Sequence, residues 1–92
     1  MNFIKLKESA IVAIKKIDEF GIKNGESDQL ESIKQQMIFI RDNAINGKDP
    51  SLELGDDRKF TYAIIASREF ASPEELDLKE YIDEVSSLLD DK

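Results

Sequence analysis

Residues 72–89 read SPEELDLKEYIDEVSSLL, and this stretch carries the clearest structural signal in the chain. Ser72 is a preferred helix N-cap, Pro73 suits the first helical position, and Glu75 stands where a capping-box glutamate bonds back to the cap. Apolar side chains then recur at steps of three and four residues, the spacing of one face of an α-helix. They are Leu78, Ile82, Val85 and Leu89. The stretch predicts an amphipathic helix over 73–89.

The segment before it, 56–71, is predicted to be a helix with Asp56 or Asp57 as its cap. Its expected inner face consists of Phe60, Ala63, Ile64, Ser67 and Phe70. Because the middle of this segment is apolar nearly all round, we expect it to be the most buried helix. A strand over 60–66 is the rival, since β-branched and aromatic residues are common there, but no second run is present to pair with it.

Two further amphipathic helices are predicted toward the N-terminus, over 2–20 and 28–46. Gly21 and Gly47 are expected to end them, since glycine readily adopts the left-handed conformation of a helix end. The expected inner face of the first helix is Phe3, Leu6, Ala10, Ala13, Ile17 and Phe20, widened by Ile4, Ile11 and Ile14. That of the second helix is Leu30, Ile33, Met37, Ile40 and Ala44. Between the second and third helices we expect a loop anchored on the core by Leu52 and Leu54.

The helix pattern and the length of the chain together predict the architecture. A chain of 92 residues is large enough for one modest core and too small for two, so 1–92 is expected to be one domain. Helices joined by short connections pack most simply side by side in alternating directions. The predicted fold is all-α, an antiparallel bundle of four amphipathic helices.

The chain contains no cysteine, no histidine and no tryptophan. Without cysteine it has no disulfide framework, no thiolate nucleophile and no zinc site of the usual kind. Without histidine it lacks the commonest general base and the commonest metal ligand. The acidic sites of di-iron bundles need a Glu-x-x-His motif, which is absent. We therefore expect a protein that is not an enzyme and that has no cofactor and no bound metal.

The formal net charge of −7 is unevenly distributed. Residues 72–92 carry a local net charge of −6 (eight acids, two lysines), whereas residues 1–23 carry +2 (five lysines, three acids). Nucleic acids and anionic membranes repel an acidic surface, so a basic protein partner is favoured. No apolar run approaches the ~20 residues of a membrane span, and no signal peptide is recognisable. The expected location is the cytoplasm.

Two groups of residues are candidates for contact with that partner. The first group consists of acids of the third and fourth predicted helices, namely Glu69, Glu74, Asp77, Glu80 and Glu84. The second group consists of polar and aromatic residues of the second and third predicted helices, namely Gln36, Phe39 and Tyr62. The alternative for the acids is a plain solvated helix face, whose first-turn members are favoured by the helix dipole.

Several segments resemble one known family. The second predicted helix, QLESIKQQMIFIR at 29–41, is similar to the second helix of a group of type VI secretion immunity proteins. So are LELG at 52–55, ASREF at 66–70 and PEEL at 73–76, and the likeness spans about residues 29 to 82. Members of that family are small helical proteins that cover the active-site cleft of a secreted effector which destroys nicotinamide dinucleotides.

The resemblance implies an immunity protein, which binds a cognate bacterial toxin and occludes its electropositive active-site cleft. Two other classes of function remain open. One is an acidic nucleic-acid mimic that blocks a nucleic-acid-binding protein. The other is a structural or adaptor subunit, for which apolar residues beyond the needs of one core would be available: Ile38, Phe39, Tyr62 and Ile65. The chain alone is expected to be a monomer or a weak homodimer.

Overall fold

The computed structural model describes residues 1–55 and 57–90, and every regular element in that part of the chain is a helix. The helices are α1 (Phe3–Asn24), α2 (Asp28–Ile45), α3 (Pro50–Glu53), α4 (Tyr62–Glu69) and α5 (Pro73–Asp90). The predicted all-α class is confirmed. The predicted number of four helices is corrected to five, because the expected loop at 48–55 contains the short helix α3.

Helix α1 continues through Gly21, so the predicted end at residue 20 is wrong. Gly21 is buried inside the helix, and a Cβ atom there would lie 3.1 Å from Cγ of Glu26. The glycine therefore serves close packing against the following turn. The helix ends at Gly25, whose φ of 94° is the left-handed conformation that glycine adopts freely and whose N–H donates to the carbonyl of Gly21 at 2.8 Å.

Helix α2 begins and ends close to the predicted residues. Ser27 is its N-cap, and its Oγ accepts a hydrogen bond from the backbone N–H of Leu30 at 3.1 Å. Helix α2 returns alongside α1, and Lys34 pairs with Asp18 of α1 at 2.7 Å. The hydrogen bond to Asp18 raises the pKa of Lys34 above its ordinary value. All five predicted inner residues of α2 are buried.

The connection after α2 is held to the core by a residue that the sequence pattern did not indicate. Pro50, at the start of α3, is among the fully buried side chains. Asp49 caps α3 by accepting the N–H of Ser51 at 2.9 Å. Leu54 is half-buried, but Leu52 is 75% exposed. The prediction that Leu52 anchors the connection is therefore wrong, and Pro50 takes that role.

Helix α4 is shorter and more exposed than predicted. It begins at Tyr62 rather than near residue 56, and its buried residues are Tyr62 and Ala66. Ala63 and Ser67 are exposed, and Ile64 is 53% exposed. The predicted inner face is therefore wrong for Ala63, Ile64 and Ser67, whereas Phe70 is buried and Phe60 is partly buried against the core. The expectation that this helix is the most buried one is also wrong. Of the two predicted caps, Asp56 lies outside the described residues, and Asp57 lies in a turn before the helix.

Helix α5 begins with the predicted capping box. The N–H of Glu75 donates to Ser72 Oγ at 3.2 Å, and the N–H of Ser72 donates to Glu75 Oε1 at 3.0 Å. The same carboxylate accepts the N–H of Ala71 at 3.3 Å. These bonds favour the charged carboxylate, and the bond from the backbone of Ser72 contributes most to lowering the pKa of Glu75. The turn between α4 and α5 is thereby fixed.

Helix α1 lies at the centre of the packing, against α2 on one side and α5 on the other. Helix α4 packs against α2 and α5. Buried apolar residues from α1, α2, α4 and α5 form one cluster, and each fully buried Leu, Ile or Val in it contributes roughly 1.5–3 kcal/mol. A membrane-spanning helix is absent from residues 1–55 and 57–90, since none of their helices combines the necessary length and apolar content.

Candidate protein-binding surface

A groove runs between α1 and α5. At one end Lys23 Nζ lies 3.0 Å from Glu74 Oε1, and further along Lys16 Nζ lies 5.3 Å from the centre of the Tyr81 ring. Residue numbers fall along α1 as they rise along α5, so the two helices are antiparallel. The groove encloses about 470 Å³. Its lining residues are Lys16, Glu19, Phe20, Lys23, Asn24, Glu74, Asp77, Leu78, Glu80 and Tyr81.

Two further depressions adjoin this groove. One, of about 270 Å³, shares Tyr81 with it and adds Glu8 and Glu84. The other, of about 460 Å³, shares Phe20 and Asn24. We call the three together the acidic furrow, since nine carboxylates line it. They are Glu8, Glu19, Glu26, Glu69, Glu74, Glu75, Asp77, Glu80 and Glu84.

The carboxylates of the furrow differ in how they are engaged. Glu74 accepts hydrogen bonds from Lys23 at 3.0 Å and from Asn24 Nδ2 at 3.1 Å. These two contacts, with Lys23 contributing most, lower the pKa of Glu74. Within the described part of the chain, no lysine or arginine forms an ion pair with three other furrow acids of α5, Asp77, Glu80 and Glu84. Their charge is therefore available to a partner.

The floor of the furrow is partly apolar. The side chain of Leu78 is buried in the core, while Tyr81 is 39% exposed and Phe20 is half-buried. A surface with an apolar centre and a charged rim is the common composition of protein–protein contacts, in which the centre excludes water and the rim sets orientation. The furrow can therefore receive a basic side chain or segment of another protein.

Gln36, one of the predicted contact residues, is engaged inside the molecule. Its Oε1 accepts the backbone N–H groups of Thr61 at 2.8 Å and of Tyr62 at 2.9 Å. Its Nε2 donates to Thr61 Oγ1 at 2.9 Å and to Ser32 Oγ at 3.3 Å. The amide group of Gln36 thus holds the start of α4 against α2.

Tyr62, another predicted contact residue, lies in the core of the chain rather than on its surface. It is 4% exposed, and its hydroxyl oxygen accepts a hydrogen bond from Ser86 Oγ of α5 at 2.9 Å. Burial raises the pKa of Tyr62 above its ordinary value. Phe39 is half-buried and contacts the ring of Phe60 edge-on, with 6.0 Å between ring centres.

The structure thus separates the two predicted groups of contact residues. Glu69, Glu74, Asp77, Glu80 and Glu84 all line the acidic furrow. Gln36 and Phe39 line a different depression of about 370 Å³, which shares no residue with the furrow and also contains Arg58 and Lys59. The acids form one surface, and the polar and aromatic group does not belong to it.

Sequence reasoning missed the residues that α1 contributes to the furrow. Four of these residues share one face of α1, because successive members are eight, three and four residues apart. They are Glu8, Lys16, Glu19 and Lys23. That spacing was a usable signal. The net charge of residues 1–23 is positive, however, so the charge distribution along the sequence indicates an acidic surface on the last helix alone.

Comparison of the chain with protein-family models, with curated proteins and with solved structures gave no match. In the described ranges, no cluster of three or more carboxylate, histidine or thiol side chains has the arrangement of a metal site.

Proposed function

We propose that this chain is an immunity protein that binds a cognate bacterial toxin and blocks its active site, with the acidic furrow as the contact surface. The observation that carries the proposal is the row of carboxylates on α5, Asp77, Glu80 and Glu84, which have no basic partner within the described residues and which flank the exposed ring of Tyr81. Exposed acids without a basic partner destabilise the free chain little, and in a complex they can pair with basic side chains of the other protein.

The properties of the partner follow from the furrow. A toxin cleft that binds the phosphates of a nucleotide is electropositive, and an acidic surface is attracted to it over several ångströms before contact. Complexes between enzymes and protein inhibitors commonly bury about 1,200–2,000 Å² in total. The resemblance to immunity proteins directed against effectors that degrade nicotinamide dinucleotides agrees with such a cleft.

The proposal includes several further properties of the chain. It acts by stoichiometric binding rather than catalysis, without a cofactor, as one domain in the cytoplasm of the cell that makes the toxin. We further propose that the helices form an antiparallel bundle, in which α1, α2 and α5 are the long members and α4 contacts α2 and α5. In this arrangement the furrow lies on the side of the molecule where α1 and α5 are both exposed.

The test is a growth assay in which the chain is produced together with the protein encoded by the adjacent reading frame. We expect that protein to arrest growth and the chain to restore it. The variant Asp77→Lys with Glu80→Lys should restore growth poorly at equal abundance. The matched control is Glu53→Lys with Asp57→Lys, two exposed acids outside the furrow, and it should protect fully. Equal protection by both double variants would contradict the proposed contact surface.

A second candidate function is inhibition by nucleic-acid mimicry. It is favoured by the carboxylates Glu8 and Glu19, since these extend the acidic surface from α5 onto α1. A mimic competes with nucleic acid for its target, so added duplex DNA or RNA should displace the chain from the adjacent-frame protein. An inhibitor of a nucleotide-cleaving enzyme is displaced by the dinucleotide substrate and not by nucleic acid.

A further inference from the structure

The outward face of α1 carries apolar side chains that the core does not use. Ile4 is 67% exposed and Ile11 is 44% exposed, so the expectation that they widen the inner face of the helix is wrong. Ile22 is 86% exposed. At about 100° per residue, these three isoleucines lie within about 20° of one line along the helix. Val12, also exposed, lies beside this row. Large apolar side chains aligned on one helix face are typical of a surface that another helix covers.

The charges beside this row match those of a second, antiparallel copy. Lys5, Glu8, Lys15 and Glu19 are all exposed and lie on the same flank of the isoleucine row. In an antiparallel pair related by a two-fold axis perpendicular to the helices, the flank of one α1 lies beside the same flank of the other α1, and the two chains run in opposite directions. With the axis between Ile11 and Val12, Glu8 lies opposite Lys15 of the other copy, and Lys5 lies within one residue of the level of Glu19.

The same register also pairs apolar residues at the centre of the interface, since Ile11 of each copy lies at the level of Val12 of the other. Within the described residues, Lys5, Glu8 and Lys15 form no ion pair, and Glu19 has only a contact of 3.8 Å to Lys16. The charges are therefore free for the second copy.

We propose that the outward face of α1 is a homodimer interface, in which two copies of the chain pack α1 against α1 in antiparallel orientation. This interface shares Glu8, Val12 and Glu19 with the acidic furrow and leaves out the unpaired acids of α5. Its test uses the chain alone, so a negative result would leave the proposed function untouched.

The test is sedimentation equilibrium of the purified chain over concentrations up to about 1 mM. The expected mass rises from 10.5 kDa toward about twice that value as the concentration increases. Ile11→Glu with Ile22→Glu should hold the mass at that of one chain. The control Leu52→Glu with Ile64→Glu changes two residues of similar exposure on other helices and should still dimerise. A parent chain that is monomeric throughout, or a dimer that persists in the Ile11 and Ile22 variant, overturns the proposal.

A charge exchange tests the antiparallel register. Glu8→Lys alone and Lys15→Glu alone each place like charges opposite one another, and each should raise the dissociation constant about tenfold. The double variant Glu8→Lys with Lys15→Glu restores both opposite pairs and should dimerise like the parent. Failure of the double variant to recover would overturn the register proposed here.

Discussion

Gln36 on α2 and Thr61 ahead of α4 exchange two hydrogen bonds, one from the Thr61 N–H to Gln36 Oε1 at 2.8 Å and one from Gln36 Nε2 to Thr61 Oγ1 at 2.9 Å. The side chain of Thr61 itself makes no capping bond in α4. The first amide groups of α4 are therefore satisfied from another helix, which fixes where α4 begins. A cap of this kind leaves no local sequence signature.

Replacing Gln36 with alanine should lower the free energy of unfolding by about 1–2 kcal/mol, since it leaves two backbone N–H groups at the start of α4 without their acceptor. Urea denaturation followed by circular dichroism measures this. Gln35→Ala is the matched control, because the Gln35 side chain is exposed and bonds only within α2, to Glu31. Equal decreases in the free energy of unfolding of the two variants would show that the hydrogen bonds of Gln36 to the start of α4 do not stabilise the fold.

A comparison of two isoleucines tests the assignment of core and surface. Ile33 is fully buried, so Ile33→Asp places an unpaired charge in the core and should leave the chain unfolded. Ile64 is 53% exposed, so Ile64→Asp should cost less than about 1 kcal/mol. Thermal melts of both variants decide the matter. If the Ile64→Asp variant unfolds, the assignment of Ile64 to the exposed surface is contradicted.

Sequence periodicity was sufficient for the long helices and insufficient for α4. In α2 and α5 every predicted inner residue is buried, because a helix of 18 residues has enough turns to define one apolar stripe. Helix α4 has eight residues and apolar side chains nearly all round, so its orientation is set by contacts such as that of Tyr62 with Ser86. Contacts between distant residues cannot be deduced from spacing within one segment.

The candidate surface was partly predictable for the same reason. The acids of α5 recur at the spacing of residues on one helix face, so the sequence alone indicated that they lie together. The contribution of Glu8 and Glu19 depends on α1 lying beside α5, which is a tertiary relationship. Phe39 and Gln36 were expected at the contact surface because they stand beside the core stripe. They contact the segment before α4 instead, Phe39 through the ring of Phe60.

Stability should depend on pH through Glu75. The hydrogen bonds from Ser72 and Ala71 lower its pKa below the ordinary value of 4.5 in the folded chain. A lowered folded-state pKa means that the stabilisation is present above about pH 4.5 and is lost as the pH falls through the lowered pKa. Glu75→Gln removes this titration. The melting temperatures of parent and variant should therefore differ more at about pH 7 than at about pH 3, and a constant difference would contradict the assignment.

The most direct test of the acidic furrow is the association rate of the chain with the protein of the adjacent reading frame, immobilised for surface plasmon resonance. At about 0.05 M salt, Asp77→Lys with Glu80→Lys should associate at least tenfold more slowly than Glu53→Lys with Asp57→Lys, which changes the net charge equally. At about 0.5 M salt the difference should largely vanish, because screening removes the attraction. Equal rates for the two double variants at low salt would contradict the furrow as the contact surface.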